Sequence, residues 1–296
     1  MSSRPDLGAL DLLVRVAESG SLGAAAREVG IAQPNASRSI ARLERQLGVA
    51  LLTRGPTGSR LTTEGSVVVE WARDALAGVD RVVVGARSLA AQRSPHLTVA
   101  ASLTVAEYLA PTWITRFRQA HPDLRVSLAV GNSEEVLGRV LAGDVPVGFV
   151  EAPTVPRTVR STTVASDALV VVVAPRHQWA GRRRPLRPDE LAETDLVLRE
   201  TGSGTRQTLE RALRRAGVAL GESHLELAST AAVKVAAATG AAPAVLSDLA
   251  VASEIATGTL VAVPVDLDLS RSLRAVWPAG LALAGPAADL VRLAAG

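Results

Sequence analysis

The chain has 296 residues, 48% hydrophobic but only 2% aromatic, so it can bury two or three cores built from Ala, Val and Leu. It has no cysteine, which excludes disulfide frameworks, thiolate metal sites and cysteine nucleophiles. The net charge of +3 rests almost wholly on arginine, with Lys234 the single lysine, and does not by itself argue for a nucleic-acid partner.

The first residues carry Asp6 and Asp11 and no long apolar core before a small-residue cleavage site, so they do not read as a signal peptide. No stretch approaches the ~18 uncharged apolar residues a membrane span needs, and the cytoplasm is the default location. Residues 6–19 read as a helix with Leu7, Leu10, Leu13, Val14 and Ala17 on one face. Gly20 ends it, and Ser21 is a natural N-cap for a short helix over 22–29, whose small alanines let another helix come close. A third helix starts at Gln33-Pro34, where a first-turn proline loses no hydrogen bond. Its buried stripe is Ala36, Ile40, Leu43 and Leu47, and Arg38, Arg42 and Arg45 mark the other face. Two amphipathic helices joined by a short glycine turn make a helix-turn-helix. Residues 49–52 and 61–63 read as two short extended segments around a Gly/Pro loop, 53–60, that carries Arg54 and Arg60, and together they suggest a β-wing.

From Glu64 to about Gln92 the pattern is one long helix, about 43 Å at 1.5 Å per residue. Val68, Ala72, Ala75, Val79, Val82, Ala86 and Leu89 alternate at spacings of four and three, a heptad seam that predicts pairing with a second copy; packing on the chain's own domain is the alternative. After Ser94-Pro95 apolar strands alternate with helices, as expected of parallel sheets covered on both faces. Strands are expected at 97–101, 124–130 and 147–150, with helices over 104–120 and 133–142. A crossing or hinge is expected over 151–160, which holds Pro153 and Pro156. A second α/β unit follows, with strands at 168–174, 195–198, 224–228, 242–246 and 259–264 and helices at 188–192, 204–216, 229–239 and 247–257. A last strand at 273–277 and helix at 286–294 are expected to return to the first unit.

The stretch GSLGAAAREVGIAQPNASRSIARLERQLGVALLTRGPTGSRLTTEG, residues 20–65, resembles the DNA-binding region of LysR-type transcriptional regulators. The match runs through Ala24-Ala25, Gln33-Pro34-X-X-Ser37-Arg38, Ile40-X-X-Leu43-Glu44-X-X-Leu47-Gly48, Leu51-X-X-Arg54 and Leu61-Thr62-X-X-Gly65. Residues 97–151 and 199–217 are similar to the two halves of that family's effector domain. The resemblance implies a winged helix-turn-helix over 1–63, a linker and dimerisation helix over 64–93, and a periplasmic-binding-protein-like α/β effector domain over 94–296. Subdomain I of that domain would take about 94–160 and 268–296, and subdomain II about 161–267. It implies a homodimer, with a homotetramer as the family's habit, promoter DNA and a small effector as partners, and RNA polymerase as a further candidate partner. Val145-Pro146 and Gly240-Ala241-Ala242-Pro243 depart from the family pattern, at places expected near the effector cleft.

Recognition helices present their N-terminal residues to base edges. Gln33, Pro34, Asn35, Ser37 and Arg38 hold those positions; Gln pairs with adenine, Arg with guanine, and Pro34 can touch a thymine methyl. Arg42 suits phosphate, with a solvated face or a pair with Glu44 or Glu28 as the alternative for it and for Arg45; Arg54 and Arg60 suit the minor groove or phosphates, with a structural role at the end of the third helix as the alternative for Arg54. Residues 1–63 hold 8 Arg and 5 Asp or Glu, a local +3 that equals the whole-chain charge. Phosphate attraction therefore belongs to this end.

Effector contacts are expected where strands end and helices begin: Ser102-Leu103-Thr104, Thr201-Gly202-Ser203-Gly204-Thr205 and Ser229-Thr230. Hydroxyls and free N–H groups there favour a small anion, while plain helix capping is the alternative. Arg206 could pair with that anion or face solvent. No cofactor and no metal is expected. His96, His121, His177 and His224 are scattered, no Walker loop or Gly-X-Ser-X-Gly elbow occurs, and turnover is not expected. A solute-binding transport protein would share the α/β clamshell but not the helix-turn-helix.

Overall fold

In a computed structural model, residues 4–55, 58–91, 96–221 and 225–296 are described. The chain divides into two compact units, residues 1–83 and 84–296. In the first, α1 (Leu7–Ser19) opens on Asp6, whose carboxylate accepts from the Ala9 N–H, and closes on a left-handed Gly20. Helix α2 (Leu22–Val29) opens on Ser21, whose Oγ accepts from the Ala24 N–H at 3.1 Å. Helix α3 (Gln33–Leu47) has Pro34 in its first turn. Ala25, Ala26 and Ala36 are buried between these helices, and Leu12, Leu13, Ile40, Leu43 and Leu51 fill the rest of the core. The wing is the antiparallel pair β1 (Leu52–Gly55) and β2 (Gly58–Leu61), with Leu52 opposite Leu61.

Thr62 ties this wing to α4 (Thr63–Ala91). Its Oγ1 donates to the Ala50 carbonyl at 2.8 Å and accepts from the Gly65 N–H at 2.7 Å. A Cβ on Gly65 would lie 2.2 Å from the Leu51 carbonyl oxygen, so the Leu-Thr-X-X-Gly stretch needs glycine for close approach. Val69 and Ala72 complete the core, with Val68 and Leu76 packed against it. The heptad seam is therefore split. Its first positions, 68 and 72, cover the unit's own three-helix core, while Val79 and Val82 stay exposed alongside Trp71 and Val83.

The second unit is a two-lobed α/β structure. Its elements in order are β3 (His96–Ser102), α5 (Leu103–Tyr108), α6 (Ala110–Ala120), β4 (Arg125–Gly131), α7 (Ser133–Ala142), β5 (Gly148–Val150), β6 (Val159–Val173), α8 (Pro188–Ala192), β7 (Val197–Arg199), α9 (Gly204–Arg215), β8 (Leu225–Leu227), α10 (Thr230–Thr239), β9 (Ala244–Ser247), α11 (Asp248–Ala256), β10 (Val261–Val263), β11 (Ser270–Pro278) and α12 (Gly285–Ala295). In the first lobe β4, β3 and β5 are parallel, and β11 runs antiparallel between β5 and β6. In the second lobe the end of β6 pairs antiparallel with β9 and β10, and β9, β7 and β8 are parallel. The last strand and helix do return: α12 packs its Leu290, Val291 and Ala294 into the core that holds Phe117 and Phe149.

Two expected elements differ. The helix over 104–120 is two helices, broken at Leu109 (φ −122°) just ahead of Ala110-Pro111, because proline has no N–H to donate into a preceding turn. The strand expected at 168–174 starts nine residues earlier: β6 begins at Val159 and continues without a break from one sheet into the other, while 151–158, within the expected crossing or hinge, is irregular. The first half of β6 carries Arg160, Ser161, Thr162 and Thr163 in a row between the buried Val159 and Val164, and that polar run shows none of the alternation that marks a strand in the sequence.

Candidate nucleic-acid interface and inter-lobe cleft

The N-terminal half of α3 points outward. Gln33, Pro34, Asn35 and Arg38 are exposed and Ser37 is half-buried, while Ala36 and Ile40 anchor the opposite face. The Arg38 guanidinium donates to Asn35 Oδ1 at 2.5 Å, a pairing one helical turn apart that presents both side chains together. Arg38 and Arg42 line a shallow groove with Asn35, Ser39, Gln46 and Arg4. Arg42 and Arg45 are exposed, and among the described residues neither has an ion pair. Glu44, the carboxylate that could have neutralised them, instead accepts from the Leu51 and Leu52 N–H groups at 2.8 and 3.1 Å. Glu28 faces Arg15 at 3.9 Å. Arg60 is exposed on β2. Arg54 lies on β1 opposite Ser59, and its side chain is outside the described part.

In the second unit the carboxyl ends of β3 and β5 meet the loop after β7. Ser102, Thr104, Ser203 and Thr205 are all buried, Gly202 has φ +88°, Leu103 is half-buried and Thr201 is exposed. A main-chain bond from the Glu134 N–H to the Gly202 carbonyl, 3.2 Å, joins the lobes. Ser102 and Ser203 occupy N-cap positions of α5 and α9, yet neither side chain caps its helix. Their hydroxyls are buried without a hydrogen-bond partner. Ser229 does cap, accepting from the Ala232 N–H at 3.4 Å. Thr230 is buried and its Oγ1 accepts from Arg199 at 3.3 Å. Arg199, itself buried, also holds Glu200 with two bonds of 2.7 and 2.8 Å.

Sequence reasoning missed the centre of this region. Arg271, near the start of β11, is 6% exposed and grips Asp167 of β6 with two bonds of 2.6 and 2.7 Å. It also donates to Thr205 Oγ1 at 3.1 Å and Thr104 Oγ1 at 3.3 Å, one from each lobe, and lies 3.6 Å from Glu151 Oε2. Thr205 Oγ1 in turn donates to Glu151 Oε1 at 3.3 Å, and Ser247 donates to Asp167 Oδ2 at 2.5 Å. Burial pulls the Arg271 pKa down, but the charge of Glu151, the bond and charge of Asp167 and the charge of Asp248 outweigh it and leave it raised. Gly204 passes so close beneath Glu151 that a Cβ there would sit 2.5 Å from Glu151 Cγ. Nothing in the local sequence signals these pairings, because they join residues as far as 167 positions apart.

Other expectations are corrected. Arg206 neither faces solvent nor waits for an anion: it pairs with Glu210 at 2.9 Å and with Glu226. Pro146 and Pro243 precede β5 and β9 at their amino ends, away from the carboxyl-end loops. Pro146 packs near His96 and Trp277, and the Pro243 carbonyl accepts from the Val197 N–H. His224 lies outside the described residues. Among the described residues no His, Asp and Glu group could hold a metal ion, and no helix is long and apolar enough to cross a membrane.

Comparison with known proteins agrees with both halves. Residues 7–66 match the bacterial regulatory helix-turn-helix proteins of the lysR family, and residues 90–295 match the LysR substrate binding domain. An uncharacterized HTH-type transcriptional regulator of Mycobacterium tuberculosis is 43% identical over 295 residues, covering 95% of this chain and 93% of that protein. Among solved structures, OxyR of Corynebacterium glutamicum shares the fold across 100% of this chain and 94% of its own, with a TM-score of 0.58 at 22% identity. The CcmR regulatory domain of Synechocystis, solved in complex with 2-PG, matches 68% of this chain and 95% of its own with a TM-score of 0.61 at 27% identity. A winged helix-turn-helix with an outward-facing third helix, followed by a two-lobed α/β unit, is what these relatives lead one to find, and the chain belongs to the LysR family of DNA-binding transcriptional regulators.

Proposed function

We propose that the chain reads promoter DNA in the cytoplasm with Gln33, Pro34, Asn35, Ser37 and Arg38 against base edges and Arg42, Arg54 and Arg60 against phosphates. The observation that carries this is the outward face of α3, where Arg42 and Arg45 remain uncompensated because Glu44 is spent on the wing backbone. Arg38 held against Asn35 offers a preset donor pair of the kind that reads guanine. The local +3 over residues 1–63 supplies the phosphate attraction.

The active form is a dimer paired through α4. Trp71, Val79, Val82 and Val83 are exposed on that helix, and a second copy of the same helix is the economical cover for them.

Between the lobes, Ser102, Leu103, Thr104, Thr201, Gly202, Ser203, Thr205, Ser229 and Thr230 surround a small effector that modulates promoter binding. The buried, unpartnered hydroxyls of Ser102 and Ser203 support this, since a mere cap would have used them. That a relative's regulatory domain was solved with the small molecule 2-PG is consistent with it.

The test is fluorescence anisotropy of the full chain on the DNA upstream of its own gene against a shuffled duplex. Specific binding should weaken steeply as salt rises, with a linear log–log slope. Equal affinity for both duplexes at every salt concentration would overturn the assignment.

A further inference from the structure

Among the described residues four buried side-chain oxygens lack a hydrogen-bond partner, and three of them belong to one place: Ser102 Oγ, Ser203 Oγ and Glu151 Oε2. The fourth is Glu254 Oε2. Ser102 stands two residues before Thr104, Ser203 two before Thr205, and Glu151 directly follows β5. Arg271 ties these three segments together through Thr104, Thr205 and the 3.6 Å approach to Glu151. A hydroxyl can donate or accept, so the two serines suit almost any polar ligand. A carboxylate oxygen only accepts. Glu151 is 1% exposed, its Oε1 is occupied by Thr205, and its Oε2 is left asking for a donor.

Charge sharpens the point. Among the described residues Arg271 is the one cation in contact with Glu151 and Asp167, and Asp167 takes two of its N–H groups. The junction thus carries an excess carboxylate. An anion with no proton of its own would meet Glu151 with repulsion on that side, whereas an anion that brings an O–H or N–H would satisfy it.

Resting on the cleft being the effector site, we propose that Glu151 is its specificity-determining residue and that the effector is a small oxyanion or carboxylate carrying its own hydrogen-bond donor. The anionic end lies with the Ser102 and Ser203 hydroxyls and the free N–H groups opening α9, and the donor faces Glu151 Oε2. Simple anions without a donor are rejected by the Glu151 carboxylate, whose Oε2 lacks a hydrogen-bond donor, rather than by size, which is selection through an unfavourable contact.

Two matched pairs of probes test this by thermal shift on the full chain: inorganic phosphate against sulfate, and glycolate against acetate. Each pair is alike in shape or headgroup, but only the first member keeps a donor at neutral pH. The expected result is saturable stabilisation by phosphate or glycolate, about tenfold or more tighter than by its partner. In Glu151→Gln, whose amide can itself donate, that gap should close to within about threefold. Should Glu151→Gln fail to fold, Glu151→Asp keeps the acceptor but withdraws it, and the donor-bearing probe should weaken by about tenfold. Equal binding within both pairs, a gap unchanged by either variant, or no stabilisation by any of the four probes overturns the proposal. Ser203→Ala separates this from the cleft reading. Binding that weakens in Ser203→Ala lies in the cleft whatever Glu151 does; binding indifferent to it lies elsewhere and overturns the cleft reading itself.

Discussion

The two polar faces of this molecule are built on opposite principles. On α3 the functional candidates stand in water: Gln33, Asn35, Arg38, Arg42 and Arg45 are exposed, and among the described residues their only side-chain tie is a bond from Arg38 to Asn35 within one turn. At the inter-lobe junction Thr104, Glu151, Asp167, Thr205, Ser247 and Arg271 are buried and bonded to one another across both lobes. Exposed cations cost the fold nothing and stay available to a large, charged partner. Buried ones hold the protein together and must be rearranged, or be left one partner short, to admit a small ligand. Changing the first face should therefore alter binding and spare stability, and changing the second should do the reverse or both.

The largest effect should come from Arg271→Ala. It strands Asp167 and Glu151 in a buried site, and removing one partner of such a pair costs about 3–5 kcal/mol. Denaturant unfolding of the full chain should show that loss in the effector unit. A stability unchanged within error would erase the contrast between the two faces.

Gly65→Ala probes the first unit where it is tightest. The new Cβ would press on the Leu51 carbonyl, backbone that cannot swing aside, and about 1–3 kcal/mol of stability should be lost. Because the glycine joins wing to α4, DNA affinity should fall with it. Intact affinity and melting temperature would show that the wing does not lean on this contact.

The smallest effect is a pH dependence. The hydrogen bond from Lys234, 2.7 Å, holds the Glu254 carboxyl below the usual carboxylate range against the opposing effect of burial. A depressed carboxyl stabilises the fold above its unfolded pKa of about 4.3 and loses that contribution as pH falls through the lower folded value. Lys234 is raised, burial being outweighed by Glu254 and Tyr108, so its share is present below about pH 10.4 and fades above it. Melting temperature against pH should be flatter on its acid side in Glu254→Gln than in the parent. Superimposable curves would assign the pair no role in stability.

How much was legible in the sequence follows the same division. Helices α1 to α4 were readable nearly to the residue, because local periodicity, Pro34 and the glycines at 20, 30 and 48 fix them through contacts a few positions apart, whereas the wing was legible only as an element, its strands lying mostly within the expected loop over 53–60. The outward set on α3 came with them. The serines and threonines of the cleft loops were legible as strand-end signatures, but their state was not: that Ser229 caps while Ser102 and Ser203 do not depends on packing from other segments. Arg271, Asp167 and Glu151 were invisible for a plainer reason. Each looks like an ordinary surface charge until β6 and β11 run side by side and bring them together. The first half of β6 was missed for a similar reason, since a polar strand is recognised only by the neighbour it pairs with.

The most direct measurement is operator binding by Arg38→Ala, followed by anisotropy on the chain's own upstream DNA with circular dichroism as the check on folding. Losing a bidentate base contact worth about 1–3 kcal/mol should lower affinity by about tenfold or more, relax the preference at one base position, and leave the melting temperature in place. A folded Arg38→Ala protein with an unchanged isotherm and unchanged base preference would contradict the assignment of α3 as the reading helix.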